Sequence, residues 1–370
     1  MLMESFEVEN FRSLKHLKLE KLARVNLLVG KSNSGKTSVL EGLWALRSIR
    51  LSQWLTGIEA GRGLEVEKGD FRQLFYQFDG TLSIRLAVKY ANTTKEKAFL
   101  NSSMSLSKSA SGDWSVRRGT EQLTRRTNAT NALAISINLS DSLIPQPVKI
   151  ELLRADDGST FLVPVSQGAE DFIRNPIPLP RHYGTGFVTT SIDRSDLSQD
   201  IEQLKVDKKD EALLRIIQQI DPRIMRIELV TGGQIYLDLG ESFTNLVPLN
   251  LMGEGVQRLL EVTAAIIQMP GGVVMIDEID NGQHYSTLRI LWKAILQAAR
   301  EYDVQVFATT HSAEALRHLT WVLDDEENAI YRDDVAAYTL IRAGDDTVRS
   351  YRYGAEQLEY ALEHDIEVRN

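Results

Sequence analysis

The sequence predicts an α/β protein: a central, mainly parallel sheet with helices on its faces, an antiparallel β-subdomain at the N-terminus and a helical insert. Three observations carry this prediction. An apolar run at Val25, Leu27, Leu28 and Val29 meets the glycine-rich stretch GKSNSGKT at residues 30–37, and Val39, Leu40, Leu43 and Leu46 then recur at helical spacing. The C-terminal third alternates strand-like and helix-like patterns, from GGVVMIDEID through a helix around Leu288 to Ala299 and on to DVQVFATTHS, which is the rhythm of a parallel sheet with helices on its faces. Alternation at Phe6 and Val8, Leu17 and Leu19, then Val25 and Leu27 predicts a hairpin that leads into the first parallel strand.

The remaining elements follow in chain order. Leu82, Ile84, Leu86 and Val88 alternate with polar residues and predict a strand. Residues 92–133 are rich in Ser, Thr and Asn, with basic pairs at Arg117–Arg118 and Arg125–Arg126, and read either as hairpins with mobile loops or as partly disordered. Leu197, Ile201, Leu204, Leu213, Ile216, Ile217 and Ile220 predict short helices. No sustained heptads run between Thr37 and Gly253, so a long coiled-coil arm is excluded. The expected organisation is a single domain over 1–370. It divides into N-terminal strands with the glycine-rich loop (1–91), a β-rich insert (92–190), a helical or lid segment (191–250) and a C-terminal lobe (251–370).

With 370 residues, 43% of them hydrophobic, the chain can bury a large core. Its formal net charge of −9 argues against coating nucleic acid by bulk electrostatics and leaves only a regional contact open. The absence of cysteine excludes disulfides and thiolate metal sites. No apolar run reaches the roughly 18 residues that span a bilayer. The expectation is a soluble, cytoplasmic protein with no membrane partner.

GKSNSGKT has the P-loop spacing, and strand, loop and helix follow in the order that motif requires. Its glycines let backbone N–H groups turn toward phosphate oxygens while the next helix adds the positive end of its dipole. Gly30, Lys31, Ser32, Asn33, Ser34, Gly35, Lys36, Thr37 and Ser38 are the expected cradle. Lys36 would reach the β- and γ-phosphates, and the Thr37 hydroxyl would sit on Mg²⁺. The apolar run Val273 to Ile276 delivers Asp277 and Glu278 to a strand end, where Asp277 would hold the metal and Glu278 would polarise the attacking water. A second buried strand ends at Thr310, His311 and Ser312, and His311 could donate to the γ-phosphate. Gly253, Glu254 and Gly255 open an apolar-periodic helix and form either a second anion site or simply a tight turn.

FEVENFRSLKHLKL, GKSNSGKT, LMGEGVQRLL, MIDEIDNGQHYS and ATTHS, in this order, resemble the ABC-type ATPase head of the SMC and RecF class, and most of all the ATPase part of OLD-family (AAA_15/AAA_21-like) bacterial defence proteins. The resemblance covers nearly the whole chain. It implies a homodimer, or a higher oligomer, arranged head to tail around two ATP and Mg²⁺, with slow hydrolysis of ATP to ADP and phosphate. Gly253 to Gly255 would be the signature motif that contacts the partner subunit's γ-phosphate, and Asn281 to His284 the loop that crosses the dimer interface. The sequence departs from the family in three places: Met252 stands where the signature serine is usual, His284 where transporter ATPases carry aspartate, and Ser32 where the family's P-loop has asparagine. With Met252 in place, the signature contact would rely on backbone N–H groups or on Arg258. Gln73 and Gln77 are both candidates for the glutamine that follows the first strands. Too few residues follow His311 for the Toprim nuclease of OLD proteins, so the expected role is regulation of a separate effector, such as a nuclease or toxin, in antiphage defence. The alternative is an ATPase that clamps nucleic acid in repair or maintenance.

Overall fold

The computed structural model describes residues 2–47, 71–90, 184–189, 194–344 and 347–369, together with the backbone of six strands between 101 and 164. The chain opens with β1 (Met3–Phe11), β2 (Leu14–Glu20) and β3 (Val25–Val29), then α1 (Lys36–Arg47). After β4 (Ile84–Tyr90) come β5 (Asn101–Lys108), the small hairpin β6 (Val116–Arg118) and β7 (Glu121–Leu123), β8 (Asn131–Leu139), β9 (Val148–Arg154) and β10 (Thr160–Pro164). The second half contains β11 (Thr185–Val188), α2 (Arg194–Val206), α3 (Asp210–Ile217), β12 (Arg226–Val230), β13 (Gln234–Asp238) and β14 (Val247–Pro248). It continues with α4 (Glu254–Gln268), β15 (Val273–Ile276), α5 (Tyr285–Glu301), β16 (Gln305–Thr310) and α6 (Ala313–Asp324), and ends with β17 (Val335–Arg342), β18 (Val348–Gly354) and α7 (Ala355–Glu363).

Two large sheets organise the molecule as an α/β fold. The central sheet runs β11–β15–β16–β3–β17–β18, with every neighbouring pair parallel except β17–β18. The antiparallel sheet runs β10–β9–β8–β5–β4–β1–β2. From the 92–190 stretch, β5, β8, β9 and β10 therefore extend the sheet begun by the N-terminal hairpin, β6 and β7 pair with each other, and β11 joins the central sheet. The 191–250 stretch holds two helices and also the three-stranded sheet β12–β13–β14.

β3 is buried along its whole length because both of its faces are covered. Val25, Leu27 and Val29 pack with the helices of the C-terminal half, while Leu28 packs with Phe6, Val8, Leu86 and the helix α1. Two fully buried polar side chains fix the junction of the sheets. Asn26 accepts from Ala23 N–H at 2.8 Å and donates to Ala23 O at 2.7 Å. Gln305 accepts from Met3 N–H at 2.8 Å and donates to Met3 O and Ala23 O. Each amide is satisfied, so burial costs little, and Gln305 ties the start of β1 in one sheet to the start of β16 in the other. Among the described residues no helix is long and apolar enough to cross a membrane.

Candidate functional site

The C-terminal end of β3 opens directly into the turn from Gly30 to Gly35. Gly30 has φ +149° and Gly35 φ +98°, values that side chains rarely tolerate. Space is equally restrictive: a Cβ on Gly30 would lie 2.7 Å from Leu340 O, and one on Gly35 would lie 2.5 Å from Leu14 Cδ2. Between them Asn33 takes the left-handed conformation at φ +64°, which asparagine tolerates better than most residues. Lys36 curls back so that Nζ donates to Gly30 O at 2.7 Å and Lys31 O at 2.9 Å. Burial holds its pKa below the ordinary lysine value, against the opposing pull of Asp277, Glu278 and Asp280. Ser34 Oγ is buried with no hydrogen-bond partner among the described residues.

The neighbouring strand ends supply the acids. The short, fully buried β15 places Asp277 and Glu278 just past its end. The Thr37 hydroxyl lies 3.2 Å from both carboxylate oxygens of Asp277. Thr309, buried on β16, joins the two acids: its Oγ1 donates to Asp277 Oδ1 at 2.6 Å and accepts from Glu278 N–H at 2.8 Å. Glu278 has φ +47°, a left-handed conformation that costs a non-glycine residue about 1–3 kcal/mol. One residue on, Thr310 Oγ1 donates to Asp280 at 2.5 Å, and Ser312 caps α6 by accepting from Ala315 N–H.

Most of these groups border one cavity of about 890 Å³, although Gly30, Lys31, Asp280, Thr310 and Ser312 are not part of its wall. Ser32, Asn33, Ser34, Gly35, Lys36, Thr37, Ser38, Asp277, Glu278 and His311 all face it. Both glutamine candidates, Gln73 and Gln77, face it too. Gly253, Glu254 and Gly255 do not. Gly253 caps α4 and is exposed, and the turn packs on residues 281–287 of the same chain, where a Cβ on Gly282 would meet Glu254 Oε2 at 2.9 Å. His284 caps α5 by accepting from Ser286 N–H.

Arg258 corrects an expectation. Read from sequence as a cation within reach of a second subunit, it is 3% exposed and points into its own chain. Nη1 donates to Thr189 O at 2.7 Å and to Glu261 Oε2 at 2.9 Å, and Nη2 donates to Asp277 O at 2.8 Å. The physical reason is charge balance, because Glu261 one turn along α4 neutralises the guanidinium and lets it stay buried. Of the basic pairs, Arg117–Arg118 lie in β6, and Arg125–Arg126 fall outside the described residues.

Sequence reasoning missed several residues at the cavity. Arg12 lines it and pairs with Glu41 of α1 at 2.9 Å, both nearly buried. Arg342, from the end of β17, donates to Ser13 O and Asn33 O and so props the P-loop from the other side. Phe75, Tyr76 and Phe78 complete the wall. Thr309 was legible in part, since it stands in the motif ATTHS, but nothing in the motif says that its hydroxyl faces Asp277.

The chain is similar to several known proteins. The model of the AAA_21 family, described as "AAA domain, putative AbiEii toxin, Type IV TA system", matches residues 25–317. A Helicobacter pylori protein named ATP/GTP phosphatase is 21% identical over 98% of this chain and 99% of its own length. The DNA replication and repair protein RecF of Nitrosococcus oceani is 45% identical over 58 residues, 15% of this chain and 16% of that protein. A solved Smc head domain with an extended coiled coil, bound to the C-terminal domain of ScpA derived from Pyrococcus furiosus, aligns over 99% of both chains with a TM-score of 0.47 and 11% identity.

Proposed function

The chain belongs to the AAA_21 family of AAA domains, and from that premise we propose that it binds and hydrolyses ATP as a head-to-tail dimer and thereby regulates a separate effector protein in bacterial defence. One observation carries the nucleotide reading: Thr37 and Asp277, 240 positions apart, meet at 3.2 Å in the cavity that also holds Lys36, Glu278 and His311. The fit to a nucleoside triphosphate is supported by the two glycines where a Cβ has no room, by the orphaned Ser34 Oγ, and by a lysine that donates to two loop carbonyls that a phosphate would replace. A hydroxyl beside a carboxylate is the hard-oxygen pair that suits Mg²⁺. Thr37 and Asp277 would hold that ion, which supplies charge neutralisation to phosphate oxygens when bound.

The chain's own groups would do the rest. Backbone N–H groups of residues 31–36 and the N-terminus of α1 bind the phosphates. Lys36 adds a point charge, and Glu278 takes the proton of the attacking water at its carboxylate. His311 donates toward the terminal phosphate and so distinguishes its presence from its absence. Since Gly253 to Gly255 lie away from this cavity, a second copy is needed to bring that turn to the nucleotide. The name of the Helicobacter pylori relative supports hydrolysis, and the words of the family description support a place in toxin–antitoxin biology. The likeness to OLD proteins, and the cytoplasmic location it implies, belong to the same reading.

The test is a pair of variants. Glu278→Gln should bind ATP and remain in the closed dimer without hydrolysing it, and Lys36→Ala should bind poorly. Hydrolysis by Glu278→Gln at the wild-type rate would sink the assignment of the base. A second reading, a clamp on nucleic acid, is favoured by the local RecF likeness. Binding that falls steeply with salt would support it.

A further inference from the structure

Arg258 binds the backbone at both proposed catalytic acids and touches neither carboxylate. Its guanidinium, on the second turn of α4, reaches across to the ends of two strands: Nη1 donates to Thr189 O just past β11, and Nη2 donates to Asp277 O at 2.8 Å and leans on Glu278 O at 3.4 Å. The same two acids are held from the opposite side by Thr309 of β16. Between these holds sits the left-handed Glu278. A strained backbone persists only where its surroundings over-determine it. Here the Glu278 N–H is fixed by Thr309, the Asp277 carbonyl is fixed by Arg258, and the Glu278 carbonyl also accepts from Asn281 N–H at 3.0 Å.

We propose that Arg258 is a positioning residue for hydrolysis: it fixes the direction of the Glu278 carboxylate by gripping the peptide carbonyls on either side of the Glu278 N–H and Cα, and through α4 it ties that direction to the placement of the Gly253–Gly255 turn. The inference rests on the reading of Glu278 as the base. The chemistry explains why arginine is needed. Lysine could keep the pairing with Glu261, but its single ammonium does not reproduce the planar fork that puts Thr189 O on one nitrogen and Asp277 O on the other.

The experiment uses the full chain and five proteins: wild type, Arg258→Lys, Glu278→Gln, the double variant, and Arg258→Met as a second form that removes the charge. Single-turnover cleavage of γ-labelled ATP, equilibrium ATP affinity and urea unfolding are measured on each. The expected result is an Arg258→Lys turnover rate down by about tenfold to a hundredfold, the loss a misaimed catalytic group produces, with ATP affinity within about twofold of wild type, because no phosphate contact is lost. In the Glu278→Gln background the same change should have no further effect on the residual rate, since a residue that acts through Glu278 has nothing left to aim. The inference is overturned if Arg258→Lys hydrolyses at the wild-type rate, if affinity falls in step with the rate, or if the loss persists undiminished without the Glu278 carboxylate. Should Arg258→Met unfold, Arg258→Lys still decides the matter. A Glu278→Gln protein that hydrolyses normally would instead defeat the reading of the base.

Discussion

Thr309→Val removes one oxygen and keeps the side-chain shape, so its consequences can be worked from the geometry. Thr309 is fully buried, so the valine methyl takes the place of the hydroxyl in a closed setting. The Glu278 N–H loses its partner at 2.8 Å, which costs about 1–3 kcal/mol for a buried unsatisfied donor. Asp277 loses a 2.6 Å bond from a hydroxyl to a carboxylate, about 1.5–3 kcal/mol for a bond to a charged group. Both partners border the open cavity, where solvent compensates in part, so the combined loss is about 2–4 kcal/mol. Relaxation of Glu278 out of its left-handed conformation returns about 1–3 kcal/mol of strain. The net expectation is a protein that folds, about 1–2 kcal/mol less stable by urea unfolding, with its acid misdirected and its turnover rate about a hundredfold lower. Thr309→Ser, which keeps the oxygen and drops one methyl, should lose about 1 kcal/mol of stability. It should also retain most of the rate. If Thr309→Val turns over ATP as fast as Thr309→Ser, the hydroxyl does not organise the acids and the reasoning fails.

Gly35→Ala forces a Cβ into φ +98° and to within 2.5 Å of Leu14 Cδ2. It should lose nucleotide binding and about 2–4 kcal/mol of stability. Adding Leu14→Ala should remove the clash without restoring binding, because the backbone conformation stays unfavourable; full recovery of ATP affinity in the double variant would show that the clash was the whole effect. His318 on α6 is 5% exposed, and burial, aided by Arg289 and opposed by Glu314, lowers its pKa below the ordinary 6.5. The unfolded chain therefore takes up the proton first, and the contribution to stability is complete above pH 6.5 and declines as the pH falls below it. Urea midpoints of wild type and His318→Gln should diverge between pH 7.5 and 5.5, with the wild type falling more steeply, and parallel pH profiles would contradict the burial of a neutral imidazole.

What could be read from the sequence was what is local in the chain. The P-loop with its helix, the hairpin before it, the acids after Val273–Ile276 and the capped helix after His311 each declare themselves in fewer than twenty consecutive residues, where spacing and glycine placement determine conformation. What could not be read depends on which strands become neighbours. The pairing of β4 with β5 carries the later strands onto the N-terminal sheet, and nothing in residues 101–164 specifies that partner. Arg342 reaches Asn33 only because β17 lies beside β3. Arg258 is the sharpest case. On the helix surface pattern it reads as a cation next to a glycine turn, and only the approach of β11 and β15 gives its guanidinium three carbonyl acceptors. The two holds on Glu278 are also unequal. Thr309 belongs to a strand buried at every position, so its side of the grip is fixed by the core, whereas Arg258 belongs to a helix whose cap, Gly253, and first residue, Glu254, are exposed. Of these two holds, the second is the one that a force applied at the Gly253 turn can reach. That asymmetry is why the arginine, and not the threonine, is the place where the arrival of another molecule at the Gly253 turn would be felt by the base.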